Sequence, residues 1–563
     1  MAGMLRSALL PITLALAFML AFLTILASGA ESRPKPGKPV PEGRIADVQI
    51  LGFNDFHGWL QSPRAIDGRP VGGAEYLAAY LDREERENPA GTIRLHAGDS
   101  VGGSPLISSY FHDEPSVYAM NEMGLDLGTL GNHEFDEGGD EMFRLLDGGQ
   151  RSDGKQFKDG PDGEPVNTSD AGFPGTDFPY IAANTVEAGT QNPVLPPYTI
   201  IERDDAKVGF IGVVTPETEQ IVVPDAVAPF DFPDMSDTVN RYVPELRKKG
   251  VEAIVVLAHS GGVQSGAAAT GEVVSETQQM NGAVDAVIGG HSHTFMNTRV
   301  DGKLLVQALS FGAAIDDVDL RIDRKTKDVV SSSAEVVTTF QDAVQPDPEV
   351  DALVAGYEEQ IAPVANRVVG TAAENVTRTA TPAGESALGD LIADAQRGFA
   401  GADFAFMNPG GIRADIASGE VTYGELFAVQ PFDNQVARME LTGEQVYRVL
   451  EQQFQTDSNG NPRTRILQIS GLEFSYNSQN PAGSRITSVT LPDGAPLDRG
   501  ATYTVAANSF IATGGDGFTV FKEGQNPTTL GSDLDALEDH IDGLPSPFEA
   551  PDPSTDPRII KEG

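Results

Sequence analysis

The chain has 563 residues, with 39 Lys+Arg against 82 Asp+Glu and so a formal charge of −43. A field this negative argues against a nucleic-acid polymer as partner, because phosphates must be neutralised by clustered Lys and Arg; a small anion can still be held locally. Hydrophobic residues at 40% argue against wholesale disorder, and zero cysteines exclude disulfides, thiolate metal sites and cysteine nucleophiles, which leaves His, Asp, Glu and Asn as metal ligands.

Residues 1–30 read as a signal peptide, in which Arg6 precedes an apolar run at 8–27 and Ser28-Gly29-Ala30 offers small residues for cleavage. The mature protein is therefore expected to be secreted or held at the cell envelope. An uncleaved anchor is the alternative, since about 20 apolar residues can span a bilayer; no second span follows. A Pro/Lys/Gly linker occupies 31–44. Strands are then predicted at 48–54, 92–97, 127–130, 208–214, 253–258 and 283–288, each apolar and each ending in Gly, Asp, Asn or His. Between 147 and 177 the chain is Gly/Asp/Pro-rich and aperiodic, which predicts a surface insertion; its carboxylates Asp153, Asp159, Asp162 and Glu164 fit no EF-hand spacing. Residues 236–249 carry a helical pattern that stops at Gly250. Alternation from 307 to 337 predicts antiparallel strands that close a first domain, 45–342. Val350, Leu353, Tyr357 and Ile361 predict a helix in an inter-domain segment, 343–366, before a second α/β domain at 367–544 and a tail at 545–563.

The chemistry is concentrated at the strand ends. Of eight histidines, His57, His133, His259, His291 and His293 fall in Gly/Asp/Asn-rich turns just after predicted strands, and Gly98-Asp99 adds a carboxylate in the same structural position. In an open α/β sheet that is where ligands bind. The Asp55-x-His57 and His291-x-His293 spacings let two side chains converge on one ion if the segments are extended, because alternate residues then point the same way. Imidazole mixed with carboxylate and amide oxygen suits Zn, Mn, Fe or Co better than calcium.

Taken in order, Asp55-x-His57, Gly98-Asp99, Gly131-Asn132-His133-Glu134, Ala258-His259 and Gly290-His291-Ser292-His293 resemble the motifs of calcineurin-like metallophosphoesterases. Asn408-Pro409-Gly410-Gly411-Ile412-Arg413, Gln430-Pro431-Phe432 and the stretch from Phe510 through Gly514-Gly515-Asp516-Gly517 resemble the C-terminal domain of the 5′-nucleotidase family. The resemblance covers nearly all of the mature chain. It implies an α/β protein with an N-terminal metallophosphoesterase β-sandwich flanked by helices (αββα) and a C-terminal α/β 5′-nucleotidase domain. It also implies an exported enzyme with two divalent ions (Zn, Mn, Co or Fe) that releases phosphate from nucleoside 5′-phosphates. Cyclic nucleotides or UDP-sugars are alternative substrates, and a non-catalytic nucleotide-binding protein is the alternative from another class.

Residue by residue, the resemblance assigns Asp55, His57 and His293 to one ion, Asn132, His259 and His291 to the other, and Asp99 to both. It makes His133 and Asp136 a catalytic dyad, with the Asp fixing the His tautomer and favouring its cationic form. In the second domain Asn408 and Arg413 would meet phosphate or sugar oxygens, Phe432 and Phe510 would stack on a base, and Asp516 would accept from ribose hydroxyls. A further arginine expected near the start of the second domain's first helix is absent, Ala387 standing in its place. His96 is expected to be a strand residue, and His112 and His540 to be surface or packing residues.

Overall fold

A computed structural model describes residues 40–62, 64–150, 173–432, 434–456 and 462–562. The signal-peptide reading of 1–30, most of the linker, and Asp153, Asp159, Asp162 and Glu164 lie outside the described residues. Among the described residues, no helix is long and apolar enough to cross a membrane.

Two six-stranded sheets form the N-terminal half. The first runs in the order Val329–Thr338, Ala314–Asp323, Ile45–Phe53, Thr92–His96, Leu127–Thr129, Tyr180–Ile181, and its last four strands are parallel. The second runs Phe295–Val300, Lys303–Ala308, Ala286–Gly289, Ala253–His259, Ala206–Val214, Tyr198–Arg203, with four parallel strands between two antiparallel edges. The sheets pack face to face because β-branched and other apolar residues line both inner surfaces: Val48, Ile50, Ile93 and Leu95 of one share a buried cluster with Val208, Phe210, Val255, Leu257 and Ile288 of the other. Leu51 and Phe53 point outward and are covered by the helices Ala74–Glu85 and Glu114–Glu122. On the far side, Ile211, Val213, Ile254 and Val256 are covered by Met235–Lys248 and Glu272–Gln279, which completes the αββα layering. The helix predicted at 236–249 thus begins at Met235, where the Asp234 side chain caps the Asp237 amide.

Register decides where the loops emerge. Phe53 pairs with His96 and His96 with Gly128, while Ala258 pairs with Gly289, so the parallel strands of each sheet end level with one another. The turns that carry Asp55, His57, Asp99, His133, His291 and His293 follow these ends, and His259 closes its own strand.

The helix Pro348–Ala365 follows, capped by Asp347, which accepts from the Glu349 and Val350 amides; it buries Val350, Val354 and Ile361. The C-terminal half is built on a five-stranded sheet ordered Gln468–Ser470, Phe404–Met407, Thr502–Asn508, Gln435–Thr442, Gln525–Ser532. Phe404–Met407 and Thr502–Asn508 are parallel, so the turns after them, at Asn408 and Ser509, also emerge together. Beyond Leu544 the chain folds back onto this half: Phe548 is buried and bridges Ala372, and Ile559–Lys561 pairs with Glu473–Tyr476.

Candidate metal centre and substrate cleft

The strand-end turns converge. Asp55 Oδ1 lies 3.3 Å from His293 Nε2 and 3.9 Å from His57 Nε2, and the two imidazole nitrogens are 3.2 Å apart. Asp99 Oδ2 lies 3.0 Å from His259 Nε2 and 3.6 Å from His57 Nε2, so it stands between two groups of donors. His291 Nδ1 is 2.8 Å from Asn132 Oδ1. Asp55, His57 and His293 form one cluster whose donor atoms could share an ion, and Asp99, His259 and His291 form another. The donor set, imidazole nitrogen with carboxylate and amide oxygen, fits divalent transition ions.

The supports are as specific as the donors. His57 Nδ1 donates to the Gly102 carbonyl at 2.7 Å and His259 Nδ1 to the Ala97 carbonyl at 2.8 Å, which leaves each Nε2 facing the carboxylates. Glu134 accepts from the amides of Gly131, Asp99 and Ser100 and from the Ser100 hydroxyl, and so ties the Asp99 turn to the Asn132 turn. The sequence places Glu134 in a motif without a role; its function as a tie depends on two loops meeting. At Gly131 any Cβ would run into the Asp99 carboxylate, so the close approach of these turns requires glycine.

One expectation is corrected. Asp55, His57, His291 and His293 do not converge by strand alternation, because all four, like Asp99, adopt left-handed backbone with φ between 49° and 72°. That conformation is sterically costly for non-glycine residues; it persists where surrounding contacts hold it and is concentrated at functional sites. Tight left-handed turns fold several donors into a space that an extended segment would span with fewer.

Carboxylates and imidazoles set one another's charge here. Burial opposes ionisation of Asp99, but His259 and His133 outweigh it and hold the carboxyl well below its usual range. Burial likewise opposes charge on His259, yet Asp99 pushes its imidazole up to about 10, whereas burial and the nearby His259 push His291 down to about 3. His133 Nδ1 lies 2.7 Å from Asp136 Oδ2; burial disfavours its cation, and Asp136 and Asp99 outweigh that and raise it. Its backbone amide donates to Asp99 Oδ1 at 2.9 Å.

A cleft of about 250 Å³ runs from Asn132, His133, Asp136 and His291 to Asn408, Arg413, Phe432, Phe510 and Asp516, so both halves of the chain line one cavity. Phe432 and Phe510 are partly exposed in its wall and not sealed in the core. Asp516, at φ 55°, accepts from Asn408 Nδ2 at 3.0 Å and lies 3.3 Å from Arg465 Nε. Arg463 and Arg465 also line the cleft, and Arg463 pairs with Glu217 of the N-terminal half. Neither arginine carries a sequence signal, since both sit on a hairpin arm remote from any motif. Arg378 lies beside Arg413, in the wall of an adjoining cavity that also includes His293. Ala387, where an arginine was expected, opens the helix Ala387–Ala400. His96 is a buried strand residue, and His112 and His540 stand outside the cleft, both partly exposed.

Paired sheets with donor-bearing turns at level strand ends define a calcineurin-like metallophosphoesterase half joined to a second α/β domain. Residues 48–295 match the calcineurin-like phosphoesterase family, and residues 368–523 match the 5′-nucleotidase C-terminal domain. The chain is 36% identical over 531 residues to Endonuclease YhcR of Bacillus subtilis, a match covering 93% of this chain and 42% of that protein. It is 36% identical over 537 residues to Cell wall protein Lmo0130 of Listeria monocytogenes, covering 88% of this chain and 67% of that one. The 5′-nucleotidase precursor of Thermus thermophilus superposes with a TM-score of 0.75 at 27% identity, over 92% of this chain and 99% of that structure. The chain belongs to the 5′-nucleotidase family of metallophosphoesterases, whose members hydrolyse phosphoesters.

Proposed function

We propose that the protein is an exported phosphohydrolase with two divalent ions that releases phosphate from nucleoside 5′-phosphates. The observation that carries this reading is the shared cleft: the donors Asn132 and His291 and the aromatic and acidic groups Phe432, Phe510 and Asp516 line one cavity. Asp55, His57 and His293 would hold one ion, Asn132, His259 and His291 the other, and Asp99 both. Ions bound there would supply a water of lowered pKa and Lewis-acid contact to the phosphoryl oxygens.

The chain's own groups do the rest. Arg413 and Arg378 grip phosphoryl oxygens, with Asn408 alongside. His133, whose cationic form Asp136 and Asp99 favour against burial, offsets charge that builds on the phosphoryl group as the P–O bond breaks. Phe432 and Phe510 stack on the base, and Asp516, oriented by Asn408 and Arg465, accepts from the ribose hydroxyls. A flat aromatic grip tolerates different bases, so cyclic nucleotides and UDP-sugars stay in view as further substrates of the same site.

Export rests on the apolar leader at 8–27 and is in keeping with the name of the Listeria relative. The Bacillus relative's name speaks of a nuclease, but the match spans less than half of that protein, and a charge of −43 opposes grip on a polymer. Metal analysis of the purified protein, then phosphate release from AMP, ATP, 2′,3′-cyclic AMP and UDP-glucose, tests the reading. Metal-loaded protein that binds AMP and hydrolyses none of them would make it a binding protein.

A further inference from the structure

Behind the wall that carries Asp516 stands a residue that does not itself line the cleft, Gln455 of the strand Phe454–Thr456. Its Nε2 donates to the Asp516 carbonyl at 2.6 Å and to the Gln452 carbonyl at 3.0 Å, and its Oε1 accepts from Arg465 Nη1 at 2.8 Å. Arg465 in turn holds Nε 3.3 Å from Asp516 Oδ1, while Asn408 donates to Oδ2 at 3.0 Å. Asn408 is fixed as well, since its Oδ1 accepts from Asn508 Nδ2 at 2.9 Å. The Arg465 and Asp516 side chains are only 11% and 10% exposed.

The Asp516 turn is held under constraint. Its φ of 55° is a left-handed conformation that a non-glycine residue keeps only where its surroundings impose it. The next residue, Gly517, at φ 79°, lies so close to Gln455 that a Cβ there would stand 2.9 Å from the amide nitrogen. The turn is thus seated directly on the Gln455 side chain.

A carboxylate has about four acceptor positions. Arg465 and Asn408 take one on each oxygen, which leaves each oxygen an acceptor position for a ligand in the cleft. Two adjacent acceptors match the two hydroxyls of a vicinal diol. A 2′-deoxyribose brings one donor and leaves the other oxygen charged, shielded from water and unpartnered, which is the costly case.

We propose that Gln455 is a positioning residue that sets a preference for ribonucleotides over 2′-deoxyribonucleotides, by holding Arg465 and the Asp516 backbone so that both carboxylate oxygens meet the ribose hydroxyls. The inference rests on the nucleotidase reading and deepens it, naming the sugar that the site selects and the residue outside the cleft that enforces the choice.

The test compares kcat/KM for AMP and 2′-deoxy-AMP on the metal-loaded full chain, with p-nitrophenyl phosphate, which has no sugar, as the report on the metal site. The wild type should prefer AMP at least about tenfold, the scale of one lost hydrogen bond to a charged group. Gln455→Met keeps the length of the side chain and removes its three contacts. It should bring the preference below about threefold, mainly through a higher KM for AMP, and change p-nitrophenyl phosphate by less than about twofold. Gln455→Glu retains an acceptor for Arg465 and should keep more of the preference than Gln455→Met does. Arg465→Lys keeps the charge but lacks the fork that meets Asp516 and Gln455 together, so it should lose the preference too, and it decides the matter should Gln455→Met fail to fold. A wild type that hydrolyses AMP and 2′-deoxy-AMP alike overturns the inference and leaves the nucleotidase reading standing. Wild-type preference in Gln455→Met or Arg465→Lys, or equal losses on all three substrates, overturns it as well. Hydrolysis of p-nitrophenyl phosphate with neither nucleotide cleaved removes the nucleotidase reading and this inference with it.

Discussion

The ring of Phe432, from the C-terminal half, lies parallel to the imidazole of His133, from the N-terminal half, with centroids 5.9 Å apart and 14° between planes. The Arg413 guanidinium sits over the same ring, 5.7 Å from its centre. Phe432 therefore touches the groups assigned to phosphoryl transfer, whereas Phe510 stands farther along the cleft beside Gly515. The two phenylalanines should separate in mutants. Phe510→Ala is expected to raise KM for AMP by roughly tenfold, since stacking is worth about 1–3 kcal/mol per base, and to leave p-nitrophenyl phosphate hydrolysis unchanged. Phe432→Ala should raise KM for AMP as well and, in addition, lower kcat on both substrates, because His133 loses the face it packs on. Steady-state kinetics on the two substrates decide it, and identical behaviour of the two variants contradicts the division of roles.

Asp99 stands between the two donor clusters. Asp99→Asn removes one negative charge toward both proposed ions, so hydrolysis should be abolished and the metal content of the purified protein should fall. Normal turnover at full metal occupancy would defeat the assignment.

Glu134 ties the Asp99 and Asn132 turns through four accepted hydrogen bonds while touching no proposed ion. Groups that orient metal ligands typically matter by 10–100-fold. Glu134→Gln can replace only part of that acceptor set, and it should weaken metal affinity and kcat/KM by about that factor, measured by metal titration and turnover. If affinity and activity are both unchanged, the turns hold without it.

Exhaustive chelation should inactivate the enzyme, and Mn, Co or Zn should restore it. The same treatment should lower Tm, because ions that bind only the folded chain stabilise it by mass action, and because the buried carboxylates of Asp55 and Asp99 lose the cations that balance them. Activity retained in demonstrably metal-free protein would count against the mechanism.

Asp316 is fully buried on the strand Ala314–Asp323, and among the described residues neither of its carboxylate oxygens has a hydrogen-bond partner. Burial alone pushes its carboxyl well above the usual range. Here the folded state keeps a proton that the unfolded chain releases above about pH 4. Stability is therefore lost as pH rises from about 4 toward the folded-state value, by roughly 1 kcal/mol per pH unit. Asp316→Asn removes this dependence, so the Tm difference between variant and wild type should grow in the variant's favour between pH 4.5 and 7. A difference independent of pH would show that the carboxyl is already balanced in the fold.

The α/β class and the site's chemistry are legible in the residues alone. Strands such as 92–97 and 253–258 can be read because buried parallel strands need continuous apolar runs. The donors can be read because few side chains bind a transition ion, and they stand in turns rich in Gly, Asn and Asp. Packing settles what local pattern leaves open. That Asp55, His57, His291 and His293 meet through left-handed turns follows from contacts between loops more than two hundred residues apart. Arg378, Arg463, Arg465 and Trp59 enter the cavities only because the two halves pack with this register. An arginine or tryptophan has no local pattern that marks it as facing a cleft; its neighbours are set by how two separately patterned halves close on each other.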